Sequence, residues 1–204
     1  MRVQPVTLDG THVRLEPVNR GHVDGLWHAG RFPELWRMRP FPVYSRDDMA
    51  RQVDAALDAA AAGTLFMFVT VDRSSGRPIG STSFLNIDLA NRHLEIGGTW
   101  LAPAWQRTPA NTEAKLLQLR HCFETLECVR VEFKTDARNT RSRAALARIG
   151  AVEEGTFRRH LILPDGYVRD SVYFSVVDRE WPRVEARLTE RLTASPDVEA
   201  PTDW

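Results

Sequence analysis

Apolar and polar residues alternate along most of the chain in two patterns, one typical of strands and the other of helices. Short runs rich in β-branched and aromatic residues, bounded by glycine, proline or polar breaks, predict strands. Apolar residues three and four positions apart, often after an Asn or Ser cap, predict helices. The predicted strands are residues 11–18, 64–71, 79–87, 93–101, 129–135, 152–163 and 167–177. The predicted helices are residues 20–29, 46–62, a helix from 112, 140–149 and 180–192.

The strand at 93–101 contains two adjacent glycines, Gly97 and Gly98. Glycines inside a strand weaken it and indicate a β-bulge, or a place where another molecule approaches the main chain closely. Pro103 ends this strand, because proline cannot donate a hydrogen bond to a sheet. The pattern therefore predicts an irregular strand with an exposed piece of main chain near its end.

A polar loop at 106–111 connects this strand to the next helix. The expected N-cap is Asn111 or Thr112, with Glu113 in the first turn. The unpaired N–H groups and the dipole of a helix N-terminus attract anions, phosphate above all. The loop and the start of this helix are therefore a candidate phosphate site.

Two short motifs and the order of elements resemble a known family. The motifs are Gln106-Arg107-Thr108-Pro109-Ala110-Asn111 and Asn139-Thr140-Arg141-Ser142, the latter leading to Arg148-Ile149-Gly150-Ala151. With the element order over about residues 8–192, they resemble the GNAT acyl-CoA N-acetyltransferases, and more narrowly the RimJ/RimL branch of ribosomal-protein N-terminal acetyltransferases. A doubly wound Rossmann fold is excluded, because no Gly-x-Gly-x-x-Gly follows the first strand.

The resemblance implies a mixed α/β (α+β) fold, in one domain over residues 1–192 with 193–204 as a flexible tail. Helices would flank a mostly antiparallel sheet that splays apart between its fourth and fifth strands. In the family the fourth strand binds the pantetheine arm of acetyl-CoA, the following loop wraps its pyrophosphate, and no metal is used. The residues implied here are Gly98, Thr99, Trp100, Leu101, Gln106, Arg107, Thr108, Ala110, Asn111, Thr112, Asn139 and Ser142.

The loop departs from the family pattern Gln/Arg-x-x-Gly-x-Gly/Ala at two positions. Pro109 replaces the usual glycine, and Asn111 replaces the usual glycine or alanine. Because proline has no amide hydrogen, we expect fewer or shifted contacts to the phosphates.

Glu95 is the candidate general base that the resemblance implies, since members of the family often carry a glutamate two residues before the bulge. It would take a proton from the acceptor amine through water, while main-chain N–H groups around 97–101 polarise the thioester carbonyl. A carboxylate is a weak base at neutral pH, so the role needs a water chain or an environment that favours its protonated form. The alternative is a surface glutamate on an alternating strand.

Asn139 and Ser142 form the second match to the family. There the asparagine binds the pantetheine amide and the serine protonates the leaving thiolate, a role that a tyrosine performs in many members. None of the three tyrosines in this chain, Tyr44, Tyr167 and Tyr173, lies on that helix. The alternative is that Asn139 only caps the helix, with Ser142 in its first turn.

Further charged residues have both a functional and a structural interpretation. Arg31, Arg37 and Arg39 fall where the family builds the acceptor wall, and could select an acidic substrate. They could equally form a solvated rim with nearby acidic residues, Glu34, Asp47 and Asp48. His93 and His160 can titrate near neutral pH, although most histidines in such places are structural or exposed.

Composition narrows the class of protein further. Basic and acidic residues number 27 each in 204, so no overall charge attracts the chain to nucleic acid or to an anionic membrane. No apolar run approaches the about 20 residues that span a bilayer, and the N-terminal residues lack the apolar core of a signal peptide. Cys122 and Cys128 fit no zinc spacing and are expected to be buried free thiols in the cytoplasm.

The sequence thus predicts an acetyl-CoA-dependent N-acetyltransferase in which a primary amine attacks the thioester directly, without a covalent enzyme intermediate. The acceptor is left open between a protein N-terminus, an amino acid, a polyamine and an aminoglycoside-like amine. The family habit also implies a homodimer. Two alternatives remain at this point: a GNAT-fold protein that binds acyl-CoA without turnover, and an α/β protein that binds no CoA.

Overall fold

A computed structural model describes residues 1–194. The predicted tail at 193–204 lies outside the described residues, apart from its first two positions. No helix within the described part of the chain is long and apolar enough to cross a membrane.

Eight strands form one sheet in the order β1-β2-β3-β4-β5-β6-β8-β7. Only β5 and β6 pair in parallel, so the sheet is mostly antiparallel as predicted. The strands are β1 Leu8–Asp9, β2 Val13–Pro17, β3 Phe66–Asp72, β4 Pro78–Asp88, β5 His93–Leu101, β6 Arg130–Asp136, β7 Val152–Ile162 and β8 Val168–Val177. The helices are α1 Val23–Gly30, α2 Arg46–Ala61, α3 Pro109–Arg120, α4 Thr140–Ile149 and α5 Trp181–Thr193.

Helices cover the sheet on both faces. On one face α1 packs on β4 and α2 on β3, and the ring of Trp36, from the loop between these helices, lies 5.3 Å from that of Trp100 on β5. On the other face α3 packs on β2 and α5, and His121 at its end stacks on Phe84 of β4. The buried apolar side chains of the core come from the strands and from the helices and loops that pack on them.

The sheet splays where β5 meets β6. Their pairing is limited to His93–Arg130, Leu94–Val131 and Glu95–Glu132, although both strands continue beyond these residues. The edge of β5 that faces β6 therefore has no strand partner from Ile96 onward. This is the V-shaped gap between the fourth and fifth predicted strands, which become β5 and β6 because the short β1 precedes the first predicted strand.

The predicted start of α3 is wrong. The N-cap is Thr108, whose hydroxyl accepts a hydrogen bond from the Ala110 N–H, and Pro109 is the first helical residue. Proline suits that position because its fixed φ is helical and the N–H it lacks would have no partner inside the helix. Asn111 and Thr112 therefore lie in the first turn of α3, and Glu113 lies beyond it.

The N-caps at Asn19, Ser45 and Asn139 are confirmed, although Asn19 caps a 3-10 turn at Arg20–His22 and α1 itself begins at Val23. Side chains of Asn19, Ser45 and Asn139 accept hydrogen bonds from the main chain two or three residues later. Gly150 follows α4 with a φ of 101°, the left-handed conformation that a helix C-terminus commonly adopts and glycine adopts without strain.

Candidate active site

The glycine pair on β5 forms the predicted bulge. Between Ser81–Trp100 and Ser83–Gly97 the register with β4 shifts by one residue, and Gly98 has a φ of +63°. Because the bulge adds one residue to β5, the alternation of side chains shifts, and Trp100 lies on the same face of the sheet as Glu95 and Gly97. An irregular main chain thus borders the gap between β5 and β6, and its N–H groups are the ones available to a ligand there.

Glu95 is buried at the apex of this gap, with 2% of its surface exposed. Its Oε2 accepts a hydrogen bond of 2.8 Å from Nδ2 of Asn86 and lies 3.2 Å from Nζ of Lys134. The interpretation of Glu95 as a surface residue is therefore wrong. A Cβ at Gly97 would lie 2.8 Å from Oε1 of Glu95, so the glycine also provides the space that the carboxylate occupies.

A second buried cation lies on the opposite face of β5. Nζ of Lys115, on α3, donates to the side-chain oxygens of Thr82, Thr99 and Gln118 at 2.9–3.1 Å. All three acceptors are neutral, and burial lowers the pKa of Lys115 to about 7. The chain has two lysines, Lys115 and Lys134, and both flank this strand.

Of the three arginines proposed for the acceptor wall, Arg39 reaches β5. Its guanidinium donates to the main-chain oxygen of Thr99 and lies over the ring of Trp36. Burial, reinforced by the charge of Arg169, lowers the pKa of Arg39 to about 10. Arg31 instead contacts His28 and the ring of Phe32.

One acidic residue of the alternative rim, Asp48, is engaged elsewhere. Asp48 caps the first turn of α2 and pairs with Arg51, not with the three candidate arginines. Asp48 therefore gives the alternative rim no support, and Arg39 contacts β5 through the main-chain oxygen of Thr99.

The loop before α3 is held in place by Gln106. Its Nε2 donates to the main-chain oxygen of Leu101, and its Oε1 accepts from Arg141 of α4. Arg107 has a φ of +66° and an exposed side chain. The loop thus spans the ends of β5 and α4 and presents one arginine to solvent.

The first turn of α3 retains two main-chain donors. Pro109 has no N–H, and the Ala110 N–H is bonded to the Thr108 hydroxyl. In helix geometry this leaves the N–H groups of Thr108 and Asn111 without a partner inside the helix. These donors and Arg107 suit an anionic group such as a phosphate.

Asn139 and Ser142 lie at the start of α4, directly after β6. Oδ1 of Asn139 accepts a 3.0 Å hydrogen bond from the Ser142 main-chain N–H, so the capping role is confirmed. No described residue takes the Asn139 side-chain amide hydrogens or the hydroxyl of Ser142. Both side chains are half-buried and remain able to contact a ligand in the gap.

The candidate histidines and cysteines lie in different parts of the fold. His160 on β7 has a pKa lowered by burial, and its buried Nδ1 has no partner within the described residues. His93 lies 3.5 Å from Asp88 at the far end of β5.

Cys122 and Cys128 are free and buried, as predicted, and burial raises the pKa of Cys122. No cluster of potential metal ligands occurs among residues 1–194.

The chain matches a family model, named relatives and solved structures. Residues 12–152 match a model described as an acetyltransferase (GNAT) domain. A Bacillus subtilis protein named a candidate ribosomal N-acetyltransferase, YdaF, is 36% identical over 134 residues, which are 66% of this chain and 67% of that protein. A GCN5-related N-acetyltransferase from Brucella melitensis is 31% identical, with a TM-score of 0.88 over 94% of this chain and 87% of its own.

The fold and the gap define an acyltransferase of the GNAT type. This chain belongs to the GNAT acetyltransferase family and transfers an acetyl group to an amine. Mycobacterium smegmatis RimJ, solved in complex with CoA-disulfide, shares the fold with a TM-score of 0.79 at 24% identity, over 92% of this chain and 95% of its own. The named relatives do not favour a protein that binds acyl-CoA without turnover.

Proposed function

We propose that the chain uses acetyl-CoA to acetylate a primary amine by direct attack, with both substrates bound at the gap between β5 and β6. One observation carries this proposal: the two strands separate immediately after Glu95, which places a buried carboxylate beside an unpaired edge of main chain. An unpaired strand edge is suited to an extended, amide-containing ligand such as pantetheine.

The fit of CoA to the chain is supported at three points. The edge of β5 from Ile96 onward and the side-chain amide of Asn139 offer hydrogen bonds to the pantetheine arm. Arg107 with the N–H groups of Thr108 and Asn111 offers donors to the pyrophosphate. The RimJ structure with CoA-disulfide supports CoA as the ligand of this fold.

Each step of transfer then has a candidate group. Main-chain N–H groups at the bulge around Gly98 stabilise the negative charge that develops on the thioester oxygen. Glu95 accepts a proton from the attacking amine through water, and Lys134, 3.2 Å from its Oε2, holds the carboxylate in place. Ser142 donates a proton to the departing thiolate.

A protein N-terminus is one candidate acceptor, supported by the ribosomal N-acetyltransferase named among the relatives, and a small amine is the other. The same relative supports a cytoplasmic place of action. The homodimer implied by the family also belongs to this proposal.

The test is an acceptor screen with acetyl-CoA. Peptides beginning with Ala or Ser, amino acids, spermidine and an aminoglycoside are each incubated with the protein, and CoA release is followed by thiol detection. Acetylated amine in amounts equal to the CoA released supports the proposal. Saturable CoA binding with no acetylated amine would contradict it and favour a CoA-binding sensor.

A further inference from the structure

Arg169 is a buried arginine whose Nε has no hydrogen-bond partner among the described residues. It lies on β8 with 6% of its surface exposed, and its Nε is shielded from solvent with no acceptor. No hydrogen bond or ion pair joins its guanidinium to any residue within 1–194, although its main chain pairs with that of Leu161 on β7. A buried charge in this state is unfavourable unless an opposite charge reaches it.

The nearby carboxylates are already engaged by other cations. Asp136 accepts hydrogen bonds from the side chain and the main chain of Arg138. Glu95 is paired with Lys134. Both carboxylates attract the charge of Arg169, but neither makes a hydrogen bond or ion pair with its guanidinium among the described residues.

A second guanidinium, that of Arg39, lies near Arg169. Burial, and after it the charge of Arg169, lowers the pKa of Arg39, so the two guanidinium groups lie near enough to repel each other. Two further buried polar atoms have no hydrogen-bond partner among the described residues: Oγ of Ser171, on β8 like Arg169, and Nδ1 of His160, on β7. The unpaired groups are thus predominantly donors and cations.

This cluster lies on the face of the sheet that carries Glu95. Ser171 pairs with Asp136 and Tyr173 pairs with Lys134, so alternation places Arg169, Ser171 and Tyr173 on the same face as Lys134. Lys134 in turn contacts Glu95. The candidate phosphate donors at α3 belong to the helix layer on the opposite face. A ligand at Arg169 is therefore placed on the side of the amine rather than of the CoA phosphates.

We propose that Arg169, together with Arg39, binds an anionic group of the acceptor, so that the preferred substrate is an amine that carries a carboxylate or phosphate. This inference rests on the proposed function, because it assigns the substrate class of the same site. A planar guanidinium is suited to bind either anion through two parallel hydrogen bonds.

The test compares acceptors in matched pairs. Each pair consists of a short peptide beginning with Ala or Ser whose second residue is Glu or Gln, and glutamate is compared with glutamine. We expect the wild-type kcat/KM to favour the carboxylate member by at least about tenfold, since hydrogen-bonded recognition leaves buried donors unpaired with the amide. Arg169→Met should abolish the preference by lowering kcat/KM for the Glu peptide, whereas Arg169→Lys should retain part of it.

Two controls show whether the preference comes from the anionic group of the acceptor, from the CoA phosphates or from the overall positive charge of the protein. Acetyl-CoA affinity, measured by calorimetry, should be the same in wild type and Arg169→Met, because the CoA phosphates bind elsewhere. Arg148→Met, which removes an exposed arginine of α4, should retain the full preference. Weaker acetyl-CoA binding in Arg169→Met would assign Arg169 to CoA and overturn the inference, as would equal rates for both members of every pair.

A binding measurement keeps the inference testable if no acceptor reacts. Succinate, which has no amine, is titrated into the protein while thermal unfolding is followed. Stabilisation of the wild type that is lost in Arg169→Met and in Arg39→Met supports the anion subsite even if the proposed transfer fails. No stabilisation of the wild type, or an equal effect in all three proteins, would overturn it. If Arg169→Met does not fold, Arg39→Met and Arg169→Lys decide the same comparison.

Discussion

Nζ of Lys134 on β6 lies 3.2 Å from Oε2 of Glu95 on β5, at the last residue pair before the two strands separate. The ion pair joins the strands at the apex of the gap and fixes the carboxylate there. Asn86 holds the same oxygen from β4, which leaves Oε1 of Glu95 as the atom available to a water or an amine.

Replacing Glu95 by Gln should reduce kcat by about 100-fold, the lower range for loss of a general base. The amide keeps the shape of the side chain but cannot accept the proton. Acetyl-CoA affinity should be unchanged, because the donor contacts lie on the main chain and at α3. Calorimetry and initial rates check the two quantities separately. Unchanged kcat would show that Glu95 is not the base.

Glu113 is the matched control, a buried glutamate on α3 whose contacts are structural. Its oxygens accept main-chain hydrogen bonds of 2.7–2.8 Å from Thr11, His12 and Val13, which attach the N-terminal strands to the helix layer. Glu113→Gln should lower the free energy of unfolding by about 2 kcal/mol, because one oxygen is replaced by a donor facing main-chain N–H groups. The activity of the folded fraction should remain.

Urea unfolding monitored by circular dichroism measures this change. Loss of kcat in the folded Glu113→Gln protein, with no loss of stability, would contradict the structural role.

Lys115 should make stability depend on pH. Its pKa is about 7 in the folded protein and about 10.5 when unfolded, so between these values the unfolded chain binds one more proton and stability rises with pH. Below pH 7 both states are protonated and the cost of burial is constant. Cys122 is the titratable neighbour whose charge acts on Lys115.

The comparison with Lys115→Met isolates this effect, since other groups titrate in both proteins. The unfolding free energy of the wild type, relative to the variant, should increase by an amount on the order of 4 kcal/mol from pH 7 to 10.5. Chemical unfolding at several pH values measures it. A constant difference across that window would show that Lys115 does not titrate there.

Ser142→Ala should reduce kcat by at least about tenfold without a change in stability. The cap of α4 uses the main-chain N–H of Ser142, which alanine retains. Asn139→Ala should instead lower the unfolding free energy by about 1 kcal/mol, because it removes the capping oxygen. Thermal unfolding and initial rates compare the two variants. Equal rates in wild type and Ser142→Ala would assign the proton to another donor.

Much of the fold could be predicted because its signals are local. Caps at Asn19 and Ser45, and the turn of Pro164, Asp165 and Gly166 between β7 and β8, are encoded by adjacent residues. The start of α3 was misplaced because Pro109 resembles a loop residue, although proline is equally suited to the first position of a helix.

The site was predictable only in part. Glu95 and the bulge at Gly98 have a sequence signal, since a charged residue and two glycines interrupt an apolar strand. Lys115 and Arg169 have none, because their burial depends on elements far apart in the chain. The rarity of lysine is the one available clue, since the sequence has two lysines and both contact residues of β5.

Intact-mass spectrometry of the protein after incubation with acetyl-CoA, first alone and then with a reactive amine from the screen, tests direct transfer most directly. We predict that the protein keeps its mass in both samples, while the amine gains one acetyl group for each CoA released. A protein that gains an acetyl group from acetyl-CoA alone and loses it to the amine would contradict direct attack and require a covalent enzyme intermediate.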